Sequence, residues 1–399
     1  MMKIGIDATF LEGGGQYTGM GVYTRGIARG LASVARDHEI FLLGYGPRPM
    51  SVPQPSRWEQ MPLLTRGRAG RWLSHQVVLP LTARRLGLDV LHVPGVNLRL
   101  SQPGVPFWLP CPLVVTVHDA IPLMYYGVDG PPLPWRLRQG YRLAVHAARQ
   151  AQIVLTVSHV SRRDVIRYLS IRPERIKVVY NGLDEPAARG EREQQALLAG
   201  LGITPPYVFY AGSYEPRKNL IGTVAAYRQA LNQRDLPPLV LLVERESGHR
   251  EAVLKKVAHL GITDRLHFVH SLSDEELTAL YRFATLFVYP SFYEGFGFAP
   301  LQALALGVPV IASRTGALPE VLGNAARYVN PSDQNELAAA IVDLIDHPDE
   351  MAKLAERGPI QASGYRWDTA ARQTLQAYAV AMGAQGANRA LDEVSFPCK

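Results

Sequence analysis

Tyr289-Pro-Ser-Phe-Tyr-Glu-Gly-Phe-Gly-Phe-Ala-Pro-Leu-Gln-Ala-Leu-Ala-Leu-Gly-Val-Pro-Val-Ile-Ala-Ser313 holds a strand end, a loop, a helix and a second strand in one run. The first strand closes near Pro290, Glu294 follows in the loop, Gly295 and Gly297 bracket Phe296, a helix begins around Pro300, and the next strand spans 308–312. Apolar strands without polar alternation, separated by helices, indicate parallel sheets covered on both faces. The same rhythm extends outward, with strands expected at 207–210, 239–243, 266–269, 286–289 and 327–329. An earlier series lies at 3–8, 40–43, 90–93, 114–117, 153–157 and 176–180. The expectation is an α/β chain with two doubly wound, Rossmann-like parallel sheets.

Between the two series, residues 185–206 are polar and rich in Ala and Gly, and end in Pro205-Pro206, as an interdomain connection does. The expected organisation is a first domain at 1–184, a linker at 185–206, a second domain at 207–382 and a tail at 383–399. The last helix of the second domain is a candidate to pack back on the first. Ligands of open α/β sheets bind beyond the carboxyl ends of strands, so two such sheets are expected to face one another across a cleft.

The 399 residues exceed one ordinary core and suit two. Apolar residues at 47% and charged residues at 19% fit a globular enzyme and exclude a disordered or collagen-like chain. No apolar run approaches the roughly 20 residues of a spanning helix. Asp7 interrupts the first apolar stretch where a secretion signal would not, so a cytoplasmic protein is expected. Two cysteines, Cys111 and Cys398, offer no metal-ligand spacing. Net charge is +7 but uneven: residues 1–184 hold 22 Lys+Arg against 11 Asp+Glu, whereas 185–399 hold 20 against 24. The basic half either faces an anionic partner, such as phospholipid headgroups or a lipid diphosphate, or is a solvated face.

The loop after Pro290 has the makings of an anion site. Glycines let backbone N–H groups approach a ligand, and the macrodipole of the helix that follows favours negative charge at its start, as a diphosphate would supply. Glu294 needs another task there: accepting hydrogen bonds from sugar hydroxyls, stabilising positive charge at an anomeric carbon, or merely capping the helix. His118 and Asp119 close the strand 114–117, and Glu12–Tyr23 forms a Gly-rich segment ahead of a helix expected at 24–31, with Gly19 and Gly21 nearest its start. Ser158 is a plausible helix cap and Asn181-Gly182 a turn. Arg66–Leu73 with Arg84-Arg85 either brings arginines and Trp72 to a membrane surface or places Trp72 in a core beneath solvated arginines.

These segments resemble the retaining glycosyltransferases of family 4, with the GT-B fold, over nearly the whole chain. In that family a Glu, seven residues and a second Glu mark the donor site. Here the first is Glu294 and the second position is Gln302, an amide that accepts from a ribose hydroxyl without a carboxylate's charge. Ala211–Leu220 is similar to the family turn in which Arg and Lys neutralise the donor diphosphate, making Arg217 and Lys218 the matching pair beside Gly212. The resemblance further implies donor contacts at Gly19, Gly21, Gly295, Phe296 and Gly297, a His near the transferred sugar at His118, and acceptor contact at Asp119. Departures stand at Glu244-Arg245, where the family has a Gly-Lys or similar pair, and at His270, often Gly; Arg245 either replaces the lysine contact or the group forms a polar rim.

The expected reaction is transfer of a hexosyl group, with mannose from GDP-mannose ahead of glucose from UDP-glucose, to a lipid-linked or glycan hydroxyl with retention of configuration. No Asp-x-Asp occurs, so no metal and no cofactor are expected. The partners expected are the nucleotide sugar, the acceptor and an anionic membrane surface on the inner face, with no nucleic acid. The rivals are a nucleotide-sugar epimerase on the same architecture and a catalytically silent sugar-nucleotide-binding partner, the latter motivated by Gln302, Glu244 and His270.

Overall fold

The computed structural model describes residues 1–12, 18–49, 52, 56–65, 67–96, 104–124, 135–186, 189–243 and 249–383. The chain forms two compact units, one from Met1–Asp184 together with the segment from Tyr365 onward, the other from Glu185–Gly364.

The first unit holds seven strands: β1 (Lys3–Asp7), β2 (Glu39–Gly44), β3 (Arg57–Gln60), β4 (Val90–Val93), β5 (Leu113–Val117), β6 (Ile153–Thr156) and β7 (Ile176–Val178). They pair in parallel in the order β3-β2-β1-β4-β5-β6-β7. β4, β5 and β6 are buried along their whole length, which explains their unbroken apolar sequences. β3 was not expected. It is an edge strand of sequence Arg-Trp-Glu-Gln, paired on one side and largely in water, so it carries no apolar signal.

The second unit holds β8 (Val208–Ala211), β9 (Leu239–Leu242), β10 (Leu266–Val269), β11 (Leu286–Tyr289), β12 (Val310–Ser313) and β13 (Ala326–Val329). Their order is β10-β9-β8-β11-β12-β13, all parallel. Strand order reverses between β8 and β11, and such a switch point is where doubly wound sheets bind ligands. Residues 185–206, expected as a connection, include the helix Glu191–Gly200, which packs on the helix Asp274–Arg282 and so belongs to this unit.

The helix expected at 24–31 runs instead from Gly19 to Val34, capped by the Thr18 side chain, which accepts from Gly21 N–H at 3.2 Å. Its glycines permit close packing by Trp367–Ala381, the last described helix. A Cβ on Gly26 would lie 2.0 Å from the Trp367 ring, and one on Gly30 would lie 2.4 Å from the Trp367 carbonyl oxygen. Residues 365–382 therefore complete the first unit and not the second. At the buried end of this contact Tyr378 hydroxyl bonds His92 Nδ1 at 2.7 Å, His92 Nε2 bonds Thr116 Oγ1 at 2.8 Å, and Thr116 Oγ1 bonds Tyr23 hydroxyl at 2.8 Å. Burial holds the His92 imidazole down to about 3, against a weaker upward pull from Asp7, so it is neutral throughout the physiological range.

Candidate active site

The loops that leave β8 and β11 at the switch point of the second sheet are stitched together. Gly212, the first residue after β8, has no space for a side chain: a Cβ would lie 2.4 Å from the Tyr210 hydroxyl, which donates to the Lys218 carbonyl at 3.0 Å. A short turn, Pro216–Lys218, ends at Asn219 in the left-handed region (φ 56°), a conformation asparagine tolerates. The Asn219 amide donates to Pro290 O at 3.0 Å and Pro331 O at 2.8 Å. Phe292 N–H donates to Arg217 O at 2.8 Å, which ties the two loops at the backbone.

This stitching places both cations on one carboxylate oxygen. Lys218 Nζ lies 2.8 Å and an Arg217 guanidinium nitrogen 2.9 Å from Glu294 Oε1. The same oxygen accepts from Ser291 Oγ at 2.6 Å and Tyr289 hydroxyl at 3.0 Å, and Lys218 also donates to that hydroxyl at 2.7 Å. Oε2 takes no part in these bonds. Glu294 is 7% exposed, and burial alone would raise its pKa. Lys218 and Arg217 outweigh burial and hold the carboxyl down to about 2, so it is ionised at every working pH. The side chains of Arg217 and Lys218 are each 17% exposed, which excludes a solvated surface pair.

The remaining motif residues frame this cluster. Gly297 adopts φ 106° and is the N-cap of the helix Phe298–Ala305, whereas the bonds of Glu294 run to Lys218, Arg217, Ser291 and Tyr289, so Glu294 does not act as the helix cap. A Cβ on Gly297 would also meet Leu318 at 2.6 Å. Gly295 is buried, and Phe296, buried too, packs edge-on to Phe298 with ring centres 5.2 Å apart. Gln302 lies on the same helix, half-buried. His270 bonds the Val243 carbonyl through Nδ1 at 2.7 Å, while Glu244 and Arg245 lie outside the described residues.

In the first unit, His118 follows β5 and donates from Nε2 to the Pro94 carbonyl at 2.8 Å, which leaves Nδ1 as an acceptor. Its ring stands edge-on to Tyr23 at 4.8 Å. Burial lowers its titration to about 4 despite the Pro94 bond. Asp119 Oδ1 accepts from Ile121 N–H at 3.0 Å. Ser158 caps the helix His159–Leu169 by accepting from Ser161 N–H, and Ser161 Oγ donates to the His118 carbonyl at 2.7 Å. Gly19 and Gly21 sit in the first turn of a helix and not in a loop. A Cβ on Gly19 would meet open space. Glu12 anchors the start of the Gly-rich segment by accepting from Tyr45 and Gly46 N–H groups and pairing with Arg71 at 2.9 Å; residues 13–17 lie outside the described residues.

Two family profiles cover most of the chain: Glycosyltransferase Family 4 matches residues 17–185 and Glycosyl transferases group 1 matches residues 195–361. The MMP alpha-(1->4)-mannosyltransferase of Mycolicibacterium hassiacum is 31% identical over an alignment covering 90% of this chain and 94% of that protein. The chain belongs to glycosyltransferase family 4. The transferase is also 31% identical to the O-antigen chain mannosyltransferase B of Escherichia coli, over 90% of this chain and 96% of the relative. Its backbone matches that of Anabaena HepE in complex with UDP-glucose with a TM-score of 0.72 at 19% identity, over 95% of this chain and all of the other, which supports the GT-B fold with its two Rossmann-like sheets.

Three residues that hold the cluster were not singled out in the sequence of the transferase. Ser291 and Tyr289 lie within the quoted run, but a serine and a tyrosine at a strand end carry no periodic signal of their own. Gly316 lies beyond it. With φ 59°, a Cβ there would sit 2.6 Å from the Glu294 carbonyl oxygen, and the neighbouring Ala317 N–H donates to that oxygen at 2.9 Å.

Proposed function

We propose that the transferase moves a mannosyl group from a nucleoside diphosphate mannose, GDP-mannose first, to a hydroxyl of a lipid-linked or glycan acceptor, with retention of configuration. The carrying observation is the convergence of Lys218 and Arg217 on Glu294 at the sheet's switch point, beside a helix N-terminus opened by Gly297. The mannosyltransferase relatives support the choice of sugar and of a glycan or lipid-linked acceptor.

In this reading Lys218 and Arg217 meet the charge that grows on the leaving diphosphate, together with backbone N–H groups near Gly295 and Gly297, and no metal ion enters. Glu294 Oε2 accepts from a sugar hydroxyl while Oε1 stays locked to the cations. Oriented this way, the anomeric carbon is attacked on the face the diphosphate leaves, and the acceptor proton passes to a departing phosphate oxygen. Gln302 accepts from the ribose. His118, Asp119, Gly19 and Gly21, on the other unit, and Arg245 enter through the family resemblance alone.

A thermal-shift panel of nucleotide sugars tests the proposal. A donor at 100 times its dissociation constant should add about 2.7 kcal/mol of stability, with the largest shift from GDP-mannose. Lys218→Ala should abolish most of it. If every donor stabilises Lys218→Ala as much as the parent, the diphosphate assignment is wrong. Slow release of free sugar from the donor separates the enzyme from a silent binding partner.

A further inference from the structure

The helix Gly67–Leu86 presents a water-facing line that is apolar where such lines are ordinarily charged. Between Trp72 and Ala83 its exposed positions are Leu73, Val77 and Leu81, at 43%, 40% and 53% exposure, spaced four apart and so stacked along one face. The opposite face, including Ser74, Val78, Leu79 and Thr82, is buried. Two neighbouring segments widen the line. Leu63 and Leu64, 44% and 50% exposed, are fixed beside the helix by Leu64 N–H donating to Ser74 Oγ at 2.8 Å. Trp108, 53% exposed, follows Phe107, whose N–H donates to Gln76 Oε1 at 2.9 Å. These six account for most of the ten large apolar side chains exposed among the described residues, so the exposure is a patch and not scatter.

The charge around the patch selects its partner. From Met61 to Leu88 the chain has five arginines and no Asp or Glu. Arg84 and Arg85 end the apolar line and Arg71 begins it, although Glu59 and Glu12 from elsewhere in the unit pair with Arg85 and Arg71. A symmetric contact with a second copy would set these arginines against themselves. A polyanion such as nucleic acid would leave the leucines in water. An anionic bilayer satisfies both features, with headgroups meeting arginine and the acyl boundary receiving Leu, Val and the Trp ring. No described helix is long and apolar enough to cross a membrane.

We propose that this face is a docking surface for an anionic lipid bilayer, which lies against the line Leu73, Val77 and Leu81. Trp72, weighed from the sequence as the membrane residue, is instead half-buried and edge-on to Phe107 at 6.3 Å, and Trp108 takes its place. The assignment deepens the proposed lipid-linked acceptor and rests on that reading for its purpose. Its test, however, reads lipid binding with no nucleotide sugar present, so failed donor shifts and failed lipid binding are separate results.

The experiment is co-sedimentation of the full chain with vesicles of phosphatidylcholine containing phosphatidylglycerol, and with phosphatidylcholine alone. The parent is expected to pellet with the anionic vesicles and poorly with the neutral ones. Val77→Ser/Leu81→Ser should lower the partition coefficient at least ten-fold with an unchanged thermal midpoint. Arg84→Glu, a surface change that leaves the apolar line intact, should weaken binding several-fold and reduce its salt dependence. A parent that stays in the supernatant, or a double variant that pellets as the parent does, overturns the proposal. So does sedimentation velocity showing a lipid-free dimer that Val77→Ser/Leu81→Ser dissociates.

Discussion

Replacing Glu294 by Gln keeps the shape of the side chain and removes its charge from between Lys218 and Arg217. Burial opposes ionisation, but the two cations bring the carboxyl from its ordinary 4.5 down to about 2. At about 1.4 kcal/mol per unit this amounts to about 3 kcal/mol favouring the folded, ionised form. The figure agrees with the roughly 3–5 kcal/mol cost of removing one partner from a buried ion pair. A depressed carboxylate contributes fully above its unfolded value and loses that contribution as pH falls through its folded value. The parent's advantage over Glu294→Gln should therefore be constant above about pH 5 and shrink between pH 4.5 and 2. In a unit of this size the advantage at pH 7 corresponds to roughly 6–12 °C in thermal midpoint. Thermal unfolding of both proteins from pH 7 to pH 3 measures it. A difference that does not change with pH, or that is absent at pH 7, would refute the pairing of Glu294 with Lys218 and Arg217 as the source of the effect.

Three further outcomes are expected. Lys218→Met should lower the transfer or donor-hydrolysis rate about 10²–10³-fold, read as kcat at saturating donor, if Lys218 meets the leaving diphosphate as proposed. Gly316→Ala forces a side chain to within 2.6 Å of the Glu294 backbone at a positive φ, so it should cost about 1–3 kcal/mol in unfolding experiments and lower kcat, whereas Gly19→Ala meets open space and should leave stability within about 0.5 kcal/mol. Tyr378→Phe leaves His92 Nδ1 without its hydroxyl partner and should destabilise the first unit by about 1–3 kcal/mol, seen as an earlier transition of that unit in calorimetry.

The parallel architecture was legible because β4, β5, β6, β8 and β11 are buried on both faces and therefore apolar throughout. The edge strand β3 escaped because its exposed face and single partner permit Arg, Glu and Gln. The early start of the helix Gly19–Val34 escaped for another reason: glycine weighs against a helix locally, yet Gly26 and Gly30 are what let Trp367 lie against it. In the site, Glu294, Arg217 and Lys218 could be singled out by position within motifs. That both cations would share one carboxylate oxygen with Tyr289 and Ser291 depends on the Asn219 and Phe292 bonds between two loops about 75 residues apart in sequence, and no local pattern encodes that.

The return of Trp367–Ala381 to the first unit sets an order of events during synthesis. The polar chain through His92 and Thr116 lacks its last member until Tyr378 has emerged from the ribosome. At about 5–20 residues per second, residues 1–184 wait on the order of 10–40 s for it after their own translation ends. The inserted unit, residues 185–364, is contiguous and has all its strands before then. The half of the protein that is made first is thus the half that is finished last, with Gly26 and Gly30 uncovered until Trp367 arrives.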